Sequence, residues 1–214
     1  MNNKYFIHYD FYNMKSQDNL ILLEKFKTFI QTTDYTCGPA CLKMVLEYLT
    51  KKEFDEIKLK NLCKTVPFPY GTKLKGLIDG ANLIIEKFKS ENLKIYSTLD
   101  SKKNNNGYTF NNFIDFKKFV INNLTNGNPI IVENVDYGGH YKVIIGYDQV
   151  TSNNEEDIII FADPCDLNDG CIDGYNYFPA ERFFYMWFDD HCLDKEERLQ
   201  PFLVISKSNI EKIQ

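Results

Sequence analysis

Several features are scarce in this chain of 214 residues, and each shortage narrows what the protein can be. No run approaches the roughly 18 apolar residues that a membrane span requires, so no transmembrane segment is expected. The first residues, Met1-Asn2-Asn3-Lys4-Tyr5-Phe6-Ile7-His8, hold neither an apolar core of signal-peptide length nor a small-residue cleavage site. A cytoplasmic location is therefore expected, with export by a signal-independent route left open. No basic stripe stands out against a net charge of −5, which removes nucleic acid as an expected partner. The six cysteines, at positions 37, 41, 63, 165, 171 and 192, form neither a CxxC pair nor a compact framework. They read as mostly free thiols in a reducing compartment, with a Cys165–Cys171 bridge open for an exported protein. Internal repeats and long low-complexity tracts are missing as well. Histidine is rare: His8, His140 and His191 are the three present.

What is abundant points to one core. Hydrophobic residues make up 43% of the chain and aromatics 15%, with 17 Phe and 14 Tyr, which suits a mixed sheet-and-helix interior. Length predicts one domain over 1–214, with residues 1–24 an N-terminal arm packed on it. Residues 19–30 fit a short helix or a strand. From Gly38 to Thr50 the pattern is helical, with Ala40, Cys41, Met44, Val45, Tyr48 and Leu49 on one face and Pro39 in the first turn. Helices are predicted over 53–64, over 72–88 with Thr72 as its cap, and over 111–125 with Gly127 at its end. Residues 93–99 read as a strand, and 101–107 as an exposed polar loop. The period then becomes strand-like at 129–133, 139–147, 157–162 and 201–206. This order argues an α+β fold in which N-terminal helices pack on a C-terminal antiparallel sheet.

One stretch carries chemistry, Gln31-Thr-Thr-Asp-Tyr-Thr-Cys37-Gly38-Pro39-Ala40-Cys41. A thiol at a helix start gains from the helix dipole and from unpaired backbone N–H groups, which favour thiolate. Gln31, six residues earlier, is a neutral amide donor suited to an oxyanion. A base and an orienting group follow downstream. His140 opens a strand directly after Gly138-Gly139, where another backbone, such as a bound peptide, can approach closely. Asp163 ends the strand 157–162, and Pro164 stops the ladder there. A hairpin across 148–156 would bring Asp163 back to His140, where a carboxylate fixes the imidazole tautomer. Each residue alone has an ordinary structural reading: a buried small hydrophobe, a satisfied strand-edge histidine, a turn-starting aspartate. Their occurrence together, in the order Gln, Cys, His, Asp, gives each a role.

Together these segments, Gln31-x5-Cys37-Gly-Pro-Ala, Gly139-His140-Tyr running to Gly146-Tyr-Asp148, and Ala162-Asp163-Pro164, resemble the papain-like peptidases of the double-glycine-leader group. Those trim leader peptides in bacteriocin exporters, and free-standing relatives exist. The resemblance spans about residues 25–190, and Gly71-Thr-Lys-x3-Leu77 and Phe183-x3-Trp187 also resemble segments of free-standing members. It implies a papain-like α+β fold with Cys37 as nucleophile, His140 as base and acid, Asp163 as orienting residue and Gln31 as oxyanion donor. The chain carries no transporter domains, so coupling to export does not carry over.

The function expected is a cysteine peptidase that hydrolyses peptide or amide bonds through a thioester acyl-enzyme, with a peptide or protein substrate and no cofactor. A transferase in which an amine or thiol accepts the acyl group, and a non-catalytic peptide-binding module, are the alternatives. Two further patterns fall outside the family's motifs. The acidic stretch Asp163 to Gly174 faintly resembles a calcium loop but lacks the closing bidentate Glu, so a solvated acidic turn is expected instead. Asp189-Asp-His191-Cys192 reads as a surface turn, Cys41 as a core position, and the aromatic run 183–188 as core. No metal is expected.

Overall fold

A computed structural model describes residues 9–67, 70–135, 138–150, 156–167, 170–189, 195–207, 210 and 213. Seven strands form one sheet: β1 (Leu20–Leu22), β2 (Lys94–Ser97), β3 (Ile130–Asn134), β4 (His140–Asp148), β5 (Ile158–Ala162), β6 (Tyr175–Pro179) and β7 (Phe202–Ser206). Their order is β2-β7-β3-β4-β5-β6, with β1 pairing the far end of β4, and every pairing is antiparallel. The helices are α1 (Cys37–Thr50), α2 (Glu56–Leu62), α3 (Leu74–Lys87), α4 (Phe113–Thr125) and α5 (Ala180–Met186). The architecture is α+β, as the order of periods argued. Residues 19–30 resolve into the short strand β1 and irregular chain, and not into a helix.

Helix α1 is buried more completely than its pattern suggests. Leu42 and Leu46, outside the expected apolar face, are fully buried, whereas Tyr48 and Leu49 are only half-buried. The reason is its position: the helix packs on β4 and also against α2 and α3, so it has almost no solvent face. The turn into α1 is equally crowded. A Cβ at Gly38 would stand 2.9 Å from the Cβ of Thr72, so the residue after Cys37 has no room for a side chain.

Helix α3 corrects the expected cap. It begins at Leu74, and the Thr72 hydroxyl is instead 2.7 Å from the Thr65 hydroxyl. The first free N–H groups, of Leu74 and Lys75, donate to the carboxylate of Glu197 at 3.0 and 3.1 Å. A buried carboxylate from the far end of the chain thus does the work of a local capping side chain. Helix α4 follows expectation, with Asn112 accepting from the Asp115 N–H at its start and Phe113, Phe116, Phe119, Val120 and Leu124 buried. Gly127 sits at positive φ just beyond it.

Two elements escaped the periodicity, β6 and α5. The aromatic run 183–188, expected as core, is only partly so: Phe183, Phe184 and Trp187 are buried, with Trp187 packed among Phe110, Phe116 and Phe202 and its indole N–H donating to Pro201 O, whereas Tyr185 is exposed and Phe188 half-buried. The arm at Tyr9–Tyr12 lies on β6 through the pairs Tyr9–Tyr177 and Phe11–Tyr175. Among the described residues no helix is long and apolar enough to cross a membrane.

Candidate active site

The site is assembled by the first turn of α1 and by neighbouring strand ends. β5 pairs β4 with Val143 opposite Ala162, so the residue after Ala162 comes level with the start of β4. That register puts His140 Nε2 2.7 Å from Asp163 Oδ1. With Nε2 engaged by the carboxylate, Nδ1 is left for the Cys37 thiol, which interacts with the ring and with the backbone N–H groups of Tyr141 and Gly38. The three residues are all buried, with Asp163 at 0%, His140 at 3% and Cys37 at 7% exposure. Gly138 and Gly139 both adopt positive φ in the approach to His140, and the Asp189 carboxylate rests against Gly139.

Electrostatics within the group are cooperative. Burial alone would raise the Cys37 thiol, but the hydrogen bond and charge of His140, together with the two backbone N–H groups, outweigh it and hold the thiol below its ordinary value. Burial would lower His140, yet Asp163 and Cys37 push it up to about 9. Asp163 too would be raised by burial, but His140, Lys142 and backbone N–H groups keep it well below the usual carboxylate range. These directions together favour thiolate paired with imidazolium. By contrast burial pushes Cys41 well up, and Cys63 up to about 12. Cys41 is fully buried in the core, one turn beyond Cys37.

Gln31 is anchored beside the site. Its backbone N–H donates to Pro164 O at 2.8 Å, next to Asp163, and its side-chain Nε2 donates to Thr33 O at 2.7 Å. That leaves the amide one further N–H. Its Oε1 is buried without a partner among the described residues.

The loop after Asp163 is solvated at Leu167 and over 170–172, but turns carboxylates inward on either side. Asp166 is 1% exposed, and its Oδ2 accepts the N–H groups of Asp173 and Gly174 at 3.0 and 2.6 Å. Asp173 in turn accepts from Tyr175 N–H and the Tyr12 hydroxyl. These N–H and O–H donors support the inward-turned carboxylates, which is how part of so acidic a segment can be buried. Asn168 and Asp169, part of the calcium-like pattern, lie outside the described residues, as do His8, Asp190, His191 and Cys192. Among the described residues no cluster of three His, Cys, Asp or Glu could hold a metal. Cys165 and Cys171 are free thiols.

Several neighbours of the site were not singled out from sequence. Lys142 and Asn176 both reach Asp163 Oδ2, at 3.4 and 2.8 Å. Lys142 had a visible signal, since it is a lone charge in the apolar run Tyr141 to Ile145. Glu133, opposite Tyr141 in the β3–β4 ladder, is buried with its Oε2 unpartnered among the described residues. Burial first, then the charges of Asp189, Cys37 and Glu197, raise Glu133 well above the usual carboxylate range.

A helix-borne thiol, a strand-borne imidazole and a carboxylate just past the next strand's end thus stand together on an α+β frame. The chain belongs to the Peptidase_C39 like family, whose model matches residues 23–187. Among solved structures, a C39-like peptidase from Bacillus anthracis superposes with a TM-score of 0.57 at 17% identity, covering 91% of this chain and 100% of the other. The peptidase domain of Streptococcus ComA, a bifunctional ABC transporter, gives a TM-score of 0.49 at 22% identity, with 84% and 96% covered. A double glycine motif protease from an AMS/PCAT transporter, in complex with its leader peptide, gives 0.45 at 15%, with 84% and 88% covered. No curated protein matches the chain.

Proposed function

We propose that the protein is a cysteine-type peptidase that cleaves a peptide or protein substrate through Cys37, His140 and Asp163. The observation that carries this reading is the 2.7 Å contact of His140 Nε2 with Asp163 Oδ1, which leaves the other ring nitrogen to a thiol held below its ordinary pKa. The Cys37 thiolate attacks the scissile carbonyl and forms a tetrahedral adduct. The Cys37 backbone N–H, at the helix start, and the remaining N–H of Gln31 hold its oxyanion. The imidazolium gives its proton to the leaving amine as the thioester forms. His140 then takes a proton from water, which attacks the thioester and regenerates the thiolate. Asp163 keeps the ring in the tautomer that both steps need.

Water as the acceptor separates this reading from an acyl transferase on the same frame. Incubation with a peptide library, with and without added amines, tests both the activity and the acceptor. The expected result is hydrolysed products whose yield is unchanged by amine and lost in Cys37→Ala. Products carrying the amine would favour transfer. A Cys37→Ala protein as active as the wild type would overturn the reading.

A further inference from the structure

Asp163 is served by more than its histidine. Oδ1 accepts from His140 and also from the backbone N–H groups of Cys165 and Asp166, at 2.9 and 3.2 Å. Oδ2 faces the other way, toward Asn176 Nδ2 at 2.8 Å and Lys142 Nζ at 3.4 Å. Three adjacent strands therefore converge on one carboxylate: β4 gives His140 and Lys142, β5 leads directly into Asp163, and β6 gives Asn176. We propose that Lys142 and Asn176 are positioning residues of the site, which hold the Asp163 carboxylate turned so that Oδ1 faces His140. The inference deepens the peptidase reading and rests on it.

The bland alternative is that Lys142 and Asn176 merely satisfy a buried acid. Lys142 is only 6% exposed, although a lysine on a strand ordinarily carries its ammonium into water. Burying that charge is unfavourable in an apolar interior, and the Phe161 ring, 5.8 Å from the ammonium, returns little of the cost. A buried ion pair is weak support for stability, since apolar replacements are often neutral or better. That makes the two roles separable. A purely structural pair can be removed without touching the thiol. A positioning pair cannot, because His140 depends on the carboxylate and Cys37 depends on His140.

The groups facing Asp163 are Cys41 from α1, His140 and Lys142 from β4, Cys165 and Asp166 from its own loop, and the neutral Asn176 from β6, while those facing Cys37 are Cys41, His140, Tyr141, Cys165 and Glu133 of β3. Removal of the Lys142 charge makes their combined potential more negative, which disfavours thiolate. Loss of the Asn176 donor frees Oδ2 and lets the carboxylate turn, which weakens support for the imidazolium.

The test is the pH dependence of Cys37 alkylation by iodoacetamide, read by intact mass, together with thermal melting. It needs no substrate. Lys142→Met and Asn176→Leu are each expected to move the acid limb of the profile up by about 0.5–1 pH unit, whatever happens to the melting temperature. Lys142→Arg, which keeps the charge, is expected to keep the limb near its wild-type position. If one apolar variant fails to fold, the other carries the test, because they sit on different strands. Variant profiles that superimpose on a displaced wild-type profile would overturn the positioning role alone. So would Lys142→Arg moving as far as Lys142→Met. A wild-type profile with one ordinary thiol limb would overturn the peptidase reading, and this inference with it.

Discussion

Gly139→Ala, with Gly138→Ala as its control, probes how tightly the fold aims His140. Gly138 has φ +82° and nothing within 4 Å of where a Cβ would stand. Alanine there meets only backbone strain, about 1 kcal/mol for a single left-handed residue. Gly139 has φ +111°, and its Cβ would stand 3.1 Å from Asp189 Oδ2, whose residue is itself buried at 4% exposure. Strain in so sparsely populated a region runs to ~1–3 kcal/mol, and the carboxylate must also give way by a few tenths of an ångström. We therefore expect Gly139→Ala to cost about 2–3 kcal/mol and Gly138→Ala about 1 kcal/mol. For a chain of this size that lowers the melting temperature by roughly 4–12 °C and 2–4 °C respectively. The functional split should be wider. A shift of about 1 Å in a reacting group can cost ~100-fold in rate, so Gly139→Ala should slow Cys37 alkylation by one to two decades, while Gly138→Ala leaves it near wild type. Differential scanning calorimetry and timed alkylation at neutral pH measure both quantities. Equal effects of the two alanines, or an unperturbed Gly139→Ala, would refute the reasoning.

Two further outcomes follow from buried carboxylates. Glu197→Ala leaves the Leu74 and Lys75 N–H groups without their acceptor and should cost about 2–4 kcal/mol, measured by urea unfolding; a change below about 0.5 kcal/mol would show that α3 is capped otherwise. Glu133 has a folded pKa raised above its unfolded value, so the folded state holds the proton more tightly and stability is lost as pH rises from the unfolded value toward the folded one. Glu133→Gln cannot ionise. Its stability relative to wild type should be nearly level below about pH 4 and should climb by up to ~1.4 kcal/mol per pH unit in that window. A difference that stays flat from pH 4 to 8 would contradict the burial argument.

The parts of the site that the sequence made legible are those whose signals are local. Cys37 before Gly-Pro-Ala, His140 after two glycines and Asp163 before proline each announce a helix start, a strand start and a strand end. The hairpin register then brings the last two together. Helix α3 shows what local signals cannot do: Thr72 looks like its cap, but Glu197, 123 residues beyond Leu74, takes the bond. Strand β4 has a register shift between Ile144 and Gly146, so a simple alternation from Tyr141 to Tyr147 misstates its faces. Strand β6 is short and only partly buried, with Tyr177 exposed, so it offers little period to read. Asn176 belongs to that strand, and its approach to Asp163 was invisible for the same reason.

The central claim is that Cys37 rests as a thiolate against the His140 imidazolium. The most direct measurement is the pH dependence of its alkylation in the wild type and in His140→Ala, with the modified residue located by peptide mass. At neutral pH Cys37 should be modified ahead of the exposed Cys171 thiol, with a first rise below the ordinary thiol range of about 8.5 and a second inflection near 9 as His140 loses its proton. His140→Ala should leave one limb, shifted up from the wild-type rise, because burial is then opposed only by the Tyr141 and Gly38 backbone N–H groups. Cysteines that react alike, or a Cys37 profile indifferent to His140→Ala, would contradict the claim.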